Sequence, residues 1–254
     1  MRSPIKNRMC GNNAGAAART LIPPGSIVNS YAFFDGKAEF SFAENNIFVK
    51  AHTDSIPIYH FWKVMEADPR RVYDVVTCDD FKFEDEQMFT VLQDIWHENE
   101  SPLIKSSLFF LLNSYSKTGL VSSGEIHKEH FNPVSLSYLR RFAMPQNFHI
   151  LHSEDSIEKL IEESADNEYN FINGGRFNYS LFEHGKSRGV EETLLNHRKI
   201  MKLLQESKKK IIVTYDFDEK VISAFKGSNL SFIDRQGRIT TNKETAEEII
   251  VANF

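Results

Sequence analysis

From Phe148 onward the chain alternates short apolar runs of strand type with amphipathic helical segments, and this alternation restricts the fold more tightly than any other feature. Phe148 to His152, Tyr169 to Ile172 and Lys210 to Tyr215 read as strands. Helical patterns run through Ile157 to Ile161, over Glu191 to Glu206 and near Val221. Leu230 to Asp234 and Glu247 to Asn253 read as two closing strands, with a turn at Gln236-Gly237. Parallel strands need a crossover long enough to hold a helix, so this order predicts a mainly parallel sheet with helices on both faces. A closing strand pair joined through a turn predicts an antiparallel C-terminal strand. The expected class is α/β, a three-layer Rossmann-like fold.

The first half obeys the rule only in part. Ser26 to Phe34 and Ile47 to His52 read as strands, and Pro57 to Met65 as a helix with Ile58, Phe61, Trp62 and Met65 on one face, which predicts a strand-turn-strand-helix opening. Glu84 to Glu98 then sets Phe89, Leu92, Ile95 and Trp96 at helical spacing. Ser101-Pro102 is a helix start, and Leu103 to Tyr115 is apolar nearly all round, so it is expected to be buried. A turn-rich stretch from Lys117 to Asn132 precedes a helical pattern over Pro133 to Phe142. These helices interrupt the alternation and read as an insert over residues 67–146, dividing a core made of residues 1–66 and 147–254.

Composition narrows the function classes. With 41% hydrophobic and 26% charged residues the chain has the balance of a soluble globule. A net charge of -5 gives no global attraction to phosphate, so a nucleic-acid partner would need a local basic face. Cys10 and Cys78 are its two cysteines, without a C-x-x-C or a His/Cys cluster at ligand spacing, so neither a disulfide framework nor a metal site is expected. Arg2, Lys6 and Arg8 are not followed by an apolar signal segment, and no apolar run approaches membrane-spanning length, so no membrane contact and a cytoplasmic setting are expected. His52 and His60 lack partners at a triad spacing and are expected to be exposed or capped. The glycine-rich stretches lack the Lys-Ser/Thr of a phosphate loop, and the 21 Phe read as core.

Several segments, weak singly, occur in a familiar order. They are Asn7-Arg8-Met9 with Gly11-Asn12-Asn13, Phe109-Phe110-Leu111-Leu112-Asn113 leading to Gly119, Leu195-Asn196-His197-Arg198-Lys199-Ile200, and the closing Glu248-Ile249-Ile250-Val251-Ala252-Asn253-Phe254. In that order the chain resembles, over nearly its whole length, the Dam-type DNA adenine methyltransferases. The resemblance implies the methyltransferase variant of the Rossmann-like fold, with the helical insert matching a target-recognition domain.

The functional positions of that family are altered here. A lysine that approaches the methionine part of S-adenosylmethionine becomes Asn13, after Gly11, and loses the charge that pairs a carboxylate. The glycine-rich loop becomes Ala32-Phe33-Phe34-Asp35-Gly36-Lys37, where Phe33 and Gly36 survive while Asp35 and Lys37 are expected to fill part of the cleft. The ribose-binding carboxylate aligns with Thr53, with Asp54 next to it, and the adenine-flanking Asp-Phe becomes Asp155-Ser156. The catalytic Asp-Pro-Pro-Tyr becomes Asn173-Gly174-Gly175-Arg176. Asn173 keeps an acceptor, Gly174 and Gly175 give up the stiff backbone, and Arg176 replaces the stacking ring, for which Phe177 or Tyr179 are displaced candidates.

The DNA-reading hairpin, Leu120 to His130, carries Ser122 and a single lysine, Lys128, so phosphate contact there is expected to be weak; Arg140 and Arg141 supply a further basic pair. The resemblance therefore implies a catalytically inactive homologue, without a bound cofactor, retained as a binding or scaffold protein. Its partner would be a protein, as a subunit mate or in a viral structural or anti-restriction role, with DNA as a weak ligand. An active S-adenosylmethionine-dependent enzyme with atypical contacts, and a DNA-binding module without catalysis, are the alternatives.

Overall fold

The computed structural model describes residues 2–6, 13–78, 86–117, 119, 121, 125–127, 133–175 and 195–254. Strands β1 (Ile27–Tyr31), β2 (Phe48–Thr53), β3 (Phe148–His152), β4 (Tyr169–Gly175), β5 (Lys210–Asp216), β6 (Asn229–Asp234), β7 (Ile239–Thr240) and β8 (Ala246–Ala252) form one sheet in the order β3-β2-β1-β4-β5-β8-β6-β7. The first five are parallel; β8 lies antiparallel between β5 and β6. The expected α/β Rossmann-like fold with its antiparallel C-terminal strand is what the chain adopts. The Gln236-Gly237 turn joins β6 to the two-residue β7, and β8 returns to the inside of the sheet.

Side-chain alternation sorts the strands between two cores. Phe171 and Ile212 enter a cluster with Ala14, Phe40, Trp62 and Phe148, whereas their neighbours Ile172, Ile211 and Val213 enter a second cluster with Ile161, Ile200 and Val221. Helices α1 (Asn13–Ala18), α2 (Lys37–Glu44) and α3 (Ile56–Ala67) serve the first; α8 (Ile157–Glu163), α9 (His197–Glu206) and α10 (Glu219–Ala224) serve the second. The first is built on rings. Trp62 lies 5.4 Å from Phe40, 5.6 Å from Phe33 and 5.7 Å from Phe142, and its indole N–H donates to the Phe34 carbonyl at 2.7 Å. Such ring pairs contribute about 0.5–1.5 kcal/mol each beyond the burial of their area.

The middle of the chain folds as α4 (Pro69–Val76), α5 (Glu86–Ile95), α6 (Pro102–Tyr115) and α7 (Pro133–Arg141). Helix α6 is buried continuously from Ser106 to Tyr115, packing on α3 and α4, and its Phe109, Phe110 and Leu112 extend the first core. The N-terminal segment is tied to the same helix: Lys6 N–H donates to Asn113 Oδ1 at 2.9 Å, and Asn113 Nδ2 returns a bond to the Lys6 carbonyl at 2.8 Å.

Three helices depart from the sequence expectation. The opening is not strand-turn-strand-helix, because α2 stands between β1 and β2; parallel neighbours cannot be joined by a turn. Alternating Phe40 and Phe42 hide this helix under a strand-like period. Helix α4 starts on a signal present in the sequence, Asp68 capping the Arg70 N–H at 3.0 Å with Pro69 in the first turn. Helix α1 is an alanine-rich stretch whose start is held by the Glu248 carboxylate, which accepts from the N–H groups of Asn13 and Ala14.

Candidate functional site

Ligands of open α/β sheets bind beyond the carboxyl ends of the strands, near the point where strand order reverses. Here β1 is flanked by β2 on one side and β4 on the other, and the two sides end differently.

On the β1-β2-β3 side lies a cavity of about 290 Å3, lined by Tyr31 and Ala32 after β1, His52 to Asp54 at the end of β2, Asp155 and Ser156 before α8, and Lys199 of α9. Its floor is uncharged. The Tyr31 ring stacks on His52 at 5.2 Å, the Tyr31 hydroxyl donates to Asn170 Oδ1 at 2.9 Å, and His52 Nδ1 lies 3.2 Å from Ser153 Oγ. Burial pushes the Tyr31 hydroxyl pKa up, helped by Glu168, and pushes His52 down to about 4, helped by Lys50. Of the two expectations for His52, exposed or capped, the second is the nearer: half-buried on β2, it has Ser153 as a hydrogen-bond partner and lines the cleft.

The rim is acidic. Asp54, Glu154, Asp155 and Glu158 line it with a single lysine, Lys199, whose Nζ lies 3.4 Å from Glu158 Oε1. Asp155 pairs with Lys159 at 2.7 Å.

The sequence-derived positions divide sharply. Asp155 reaches the cleft, with Ser156 capping α8 beside it. Thr53 reaches it only as lining: it is buried, and its Oγ1 accepts from the Ser55 N–H at 3.2 Å. The neighbouring Asp54 therefore carries the carboxylate at this edge. Phe33 is buried in the ring cluster, 5.7 Å from Phe148. Gly36 starts α2 at φ +74°, and a Cβ there would lie 2.7 Å from the Phe40 ring, so this glycine serves a helix start and close ring packing. Asp35 and Lys37 pair at 3.4 Å, and neither is among the residues that line the cleft. Asp35 is buried at the turn into α2 and its pKa is raised by that burial against the pull of Lys37. Glu39 on α2 accepts from Ser30 Oγ at 2.6 Å and burial pushes its carboxyl up to about 7. Asn13 faces the β6-β7 turn, with Nδ2 donating to the Arg235 carbonyl at 3.2 Å. Gly11 lies outside the described residues.

On the β4-β5 side the last described residues of β4 pack closely on β5. Asn173 Oδ1 accepts from Thr214 Oγ1 at 3.3 Å, and the β4-β5 register shifts between Asn173 and Gly175. A Cβ on Gly174 would lie 2.8 Å from both the Thr214 carbonyl oxygen and Tyr215 Cδ1, and Gly175 holds φ +54°. The Tyr215 hydroxyl and His197 Nδ1 lie 3.1 Å apart, and burial lowers the His197 pKa. Sequence reasoning missed this pair; the only signal was a histidine at the head of an amphipathic helix.

Arg140 and Arg141 stand on α7, where the Arg140 guanidinium sits 5.8 Å above the Tyr73 ring. They do not line the cleft. Arg176, Phe177, Tyr179, Ser122, Lys128 and the start of the expected helix at Glu191 lie outside the described residues. Among the described residues no group of three His, Cys, Asp or Glu could hold a metal ion, and no helix is long and apolar enough to cross a membrane. Comparison of the chain with protein-family models finds no match, and comparison with curated proteins finds none either.

Proposed function

We propose that this chain is a catalytically inactive relative of the Dam-type DNA adenine methyltransferases, retained as a binding or scaffold protein. The observation that carries the reading is the backbone at Gly174-Gly175. Proline needs φ near about -65° and a free Cβ volume. Gly175 holds φ +54°, and the Tyr215 ring and Thr214 carbonyl occupy the Cβ position of Gly174. The family's Pro-Pro, which presents a carbonyl to the adenine amino group, has no place on this backbone.

Two further observations agree. The strand order, with β8 antiparallel between β5 and β6, is the arrangement that the resemblance implies. The cleft also offers the methyl donor's carboxylate little: its one lining lysine already faces Glu158, although Asp54 and Asp155 can accept hydrogen bonds from a ribose and an adenine amino group and the acidic rim suits the donor's ammonium and sulfonium.

Calorimetry with S-adenosylmethionine and with its demethylated product tests the reading directly. The expected result is no saturable heat at millimolar ligand and no labelled methyl on duplex DNA. Methyl incorporation would sink it. A native mass measurement on protein taken from its source should show a stable complex; a monomer indifferent to every partner would count against the scaffold role.

A further inference from the structure

We infer that the hollow between α4 and α7 is an oxyanion site that takes a phosphate group. It has a volume of about 840 Å3 and is lined by Arg70 and Tyr73 of α4, Ser137, Arg140 and Arg141 of α7, and Asp68. Each guanidinium presents five N–H donors and cannot shed its charge. Among the described residues no carboxylate pairs with Arg70, Arg140 or Arg141, and none of their guanidinium groups reaches a hydrogen-bond acceptor. Asp68, the acid of the lining, spends Oδ1 on the Arg70 backbone N–H at 3.0 Å.

The grouping is the argument. Acids outnumber bases, 35 to 30, and although single cations such as Arg71, Lys226 and Arg235 also lack a carboxylate partner among the described residues, Arg70, Arg140 and Arg141 line the same hollow. Three arginines lining one hollow repel one another unless an anion sits between them. Helix-dipole attraction covers only part of this. It favours Arg140 and Arg141 in the last turn of α7, yet it disfavours Arg70 in the first turn of α4. Tyr73 adds preorganisation by holding the Arg140 guanidinium over its ring. Planar forks match the oxygens of a phosphate bidentately, and Ser137 supplies one more donor at the wall. The inference is independent of whether the methyl-donor cleft is dead.

Calorimetry on the full chain at low ionic strength, with inorganic pyrophosphate and separately with a mixed-sequence single-stranded DNA 12-mer, tests it. Saturable binding of pyrophosphate is expected, weakened about tenfold or more in Arg140→Gln/Arg141→Gln and less in Arg70→Gln. Arg140→Lys keeps the charge but loses the fork, so it should recover only part of the loss. All three side chains are exposed, and the variants should keep the parent's thermal midpoint. Oligonucleotide binding that pyrophosphate displaces and salt abolishes would assign the phosphate to a nucleic-acid backbone. Pyrophosphate binding alone would assign it to a phosphorylated small molecule. Binding of neither, or equal affinity in the folded variants, would overturn the inference.

Discussion

The two halves of the sheet's carboxyl edge differ in how they end. Beyond β1, β2 and β3 the strands end in an open cleft with a neutral floor of Tyr31 and His52. At the ends of β4 and β5 the Tyr215 ring packs against Gly174, and its hydroxyl lies 3.1 Å from His197 Nδ1. The lesson is that one sheet edge can hold an open hollow on one side of its central strand and close ring packing on the other, so that exchanges of side chains are tolerated at the first and felt at the second.

Placing a proline pair at the end of β4 should have the largest effect. Gly174→Pro/Gly175→Pro is expected to lose more than about 3 kcal/mol in urea unfolding, because one residue meets a filled volume and the other a forbidden φ. A double variant as stable as the parent would show that the backbone there is soft, and the comparison between halves would fail.

The buried acid behind the open half comes next. Glu39 has its pKa raised from 4.5 to about 7, so the folded state binds the proton more tightly and stability falls as pH rises through that interval. His52 acts oppositely: with its pKa lowered from 6.5 to about 4, the unfolded state takes the proton first and stability falls as pH drops through that window. The two slopes offset one another between pH 4.5 and 6.5. Glu39→Gln should remove one of them. The variant should exceed the parent by on the order of 2 kcal/mol at about pH 8, equal it near about pH 4, and lack the part of the parent's pH dependence that Glu39 contributes between those limits. A denaturation series with parallel curves for the two proteins would refute this.

Removing the hydroxyl at the end of β5 should cost less. Tyr215→Phe keeps the ring against Gly174 but deletes the bond to His197, for a loss of about 1 kcal/mol by thermal or urea unfolding. A larger loss would mean that the hydroxyl, and not the ring, holds this packing. The smallest effect belongs to the rim: Asp54→Asn, exposed at the cleft mouth, should change stability by less than about 0.5 kcal/mol.

The sheet was legible because periodicity is a local signal. Phe148 to His152 and Lys210 to Tyr215 fall on β3 and β5 within a residue, and Ser101-Pro102 marks the start of α6. Helix α2 was not legible, because Phe40 and Phe42 pack against different neighbours, Trp62 and Phe171, and so both are buried on a helix only eight residues long. The Asp68-Pro69 start of α4 was present but passed over. For the candidate site, the family resemblance alone pointed to Asp155 and to the Asn173 to Gly175 stretch. The cleft floor escaped it: Tyr31, His52 and Ser153 meet only through the parallel pairing of β1, β2 and β3, which brings Ser153 to His52 across 101 positions of sequence. The Arg70, Arg140 and Arg141 cluster is non-local in the same way, although Arg140 and Arg141 stood out as a basic pair.

The place of β8 bears on how the molecule is held together. It follows every other strand in sequence yet lies inside the sheet, bonded to β5 on one side and β6 on the other. It is therefore the one strand that ties the β6-β7 pair to the parallel part of the sheet, and withdrawing it would bare an edge of β5 and an edge of β6 together.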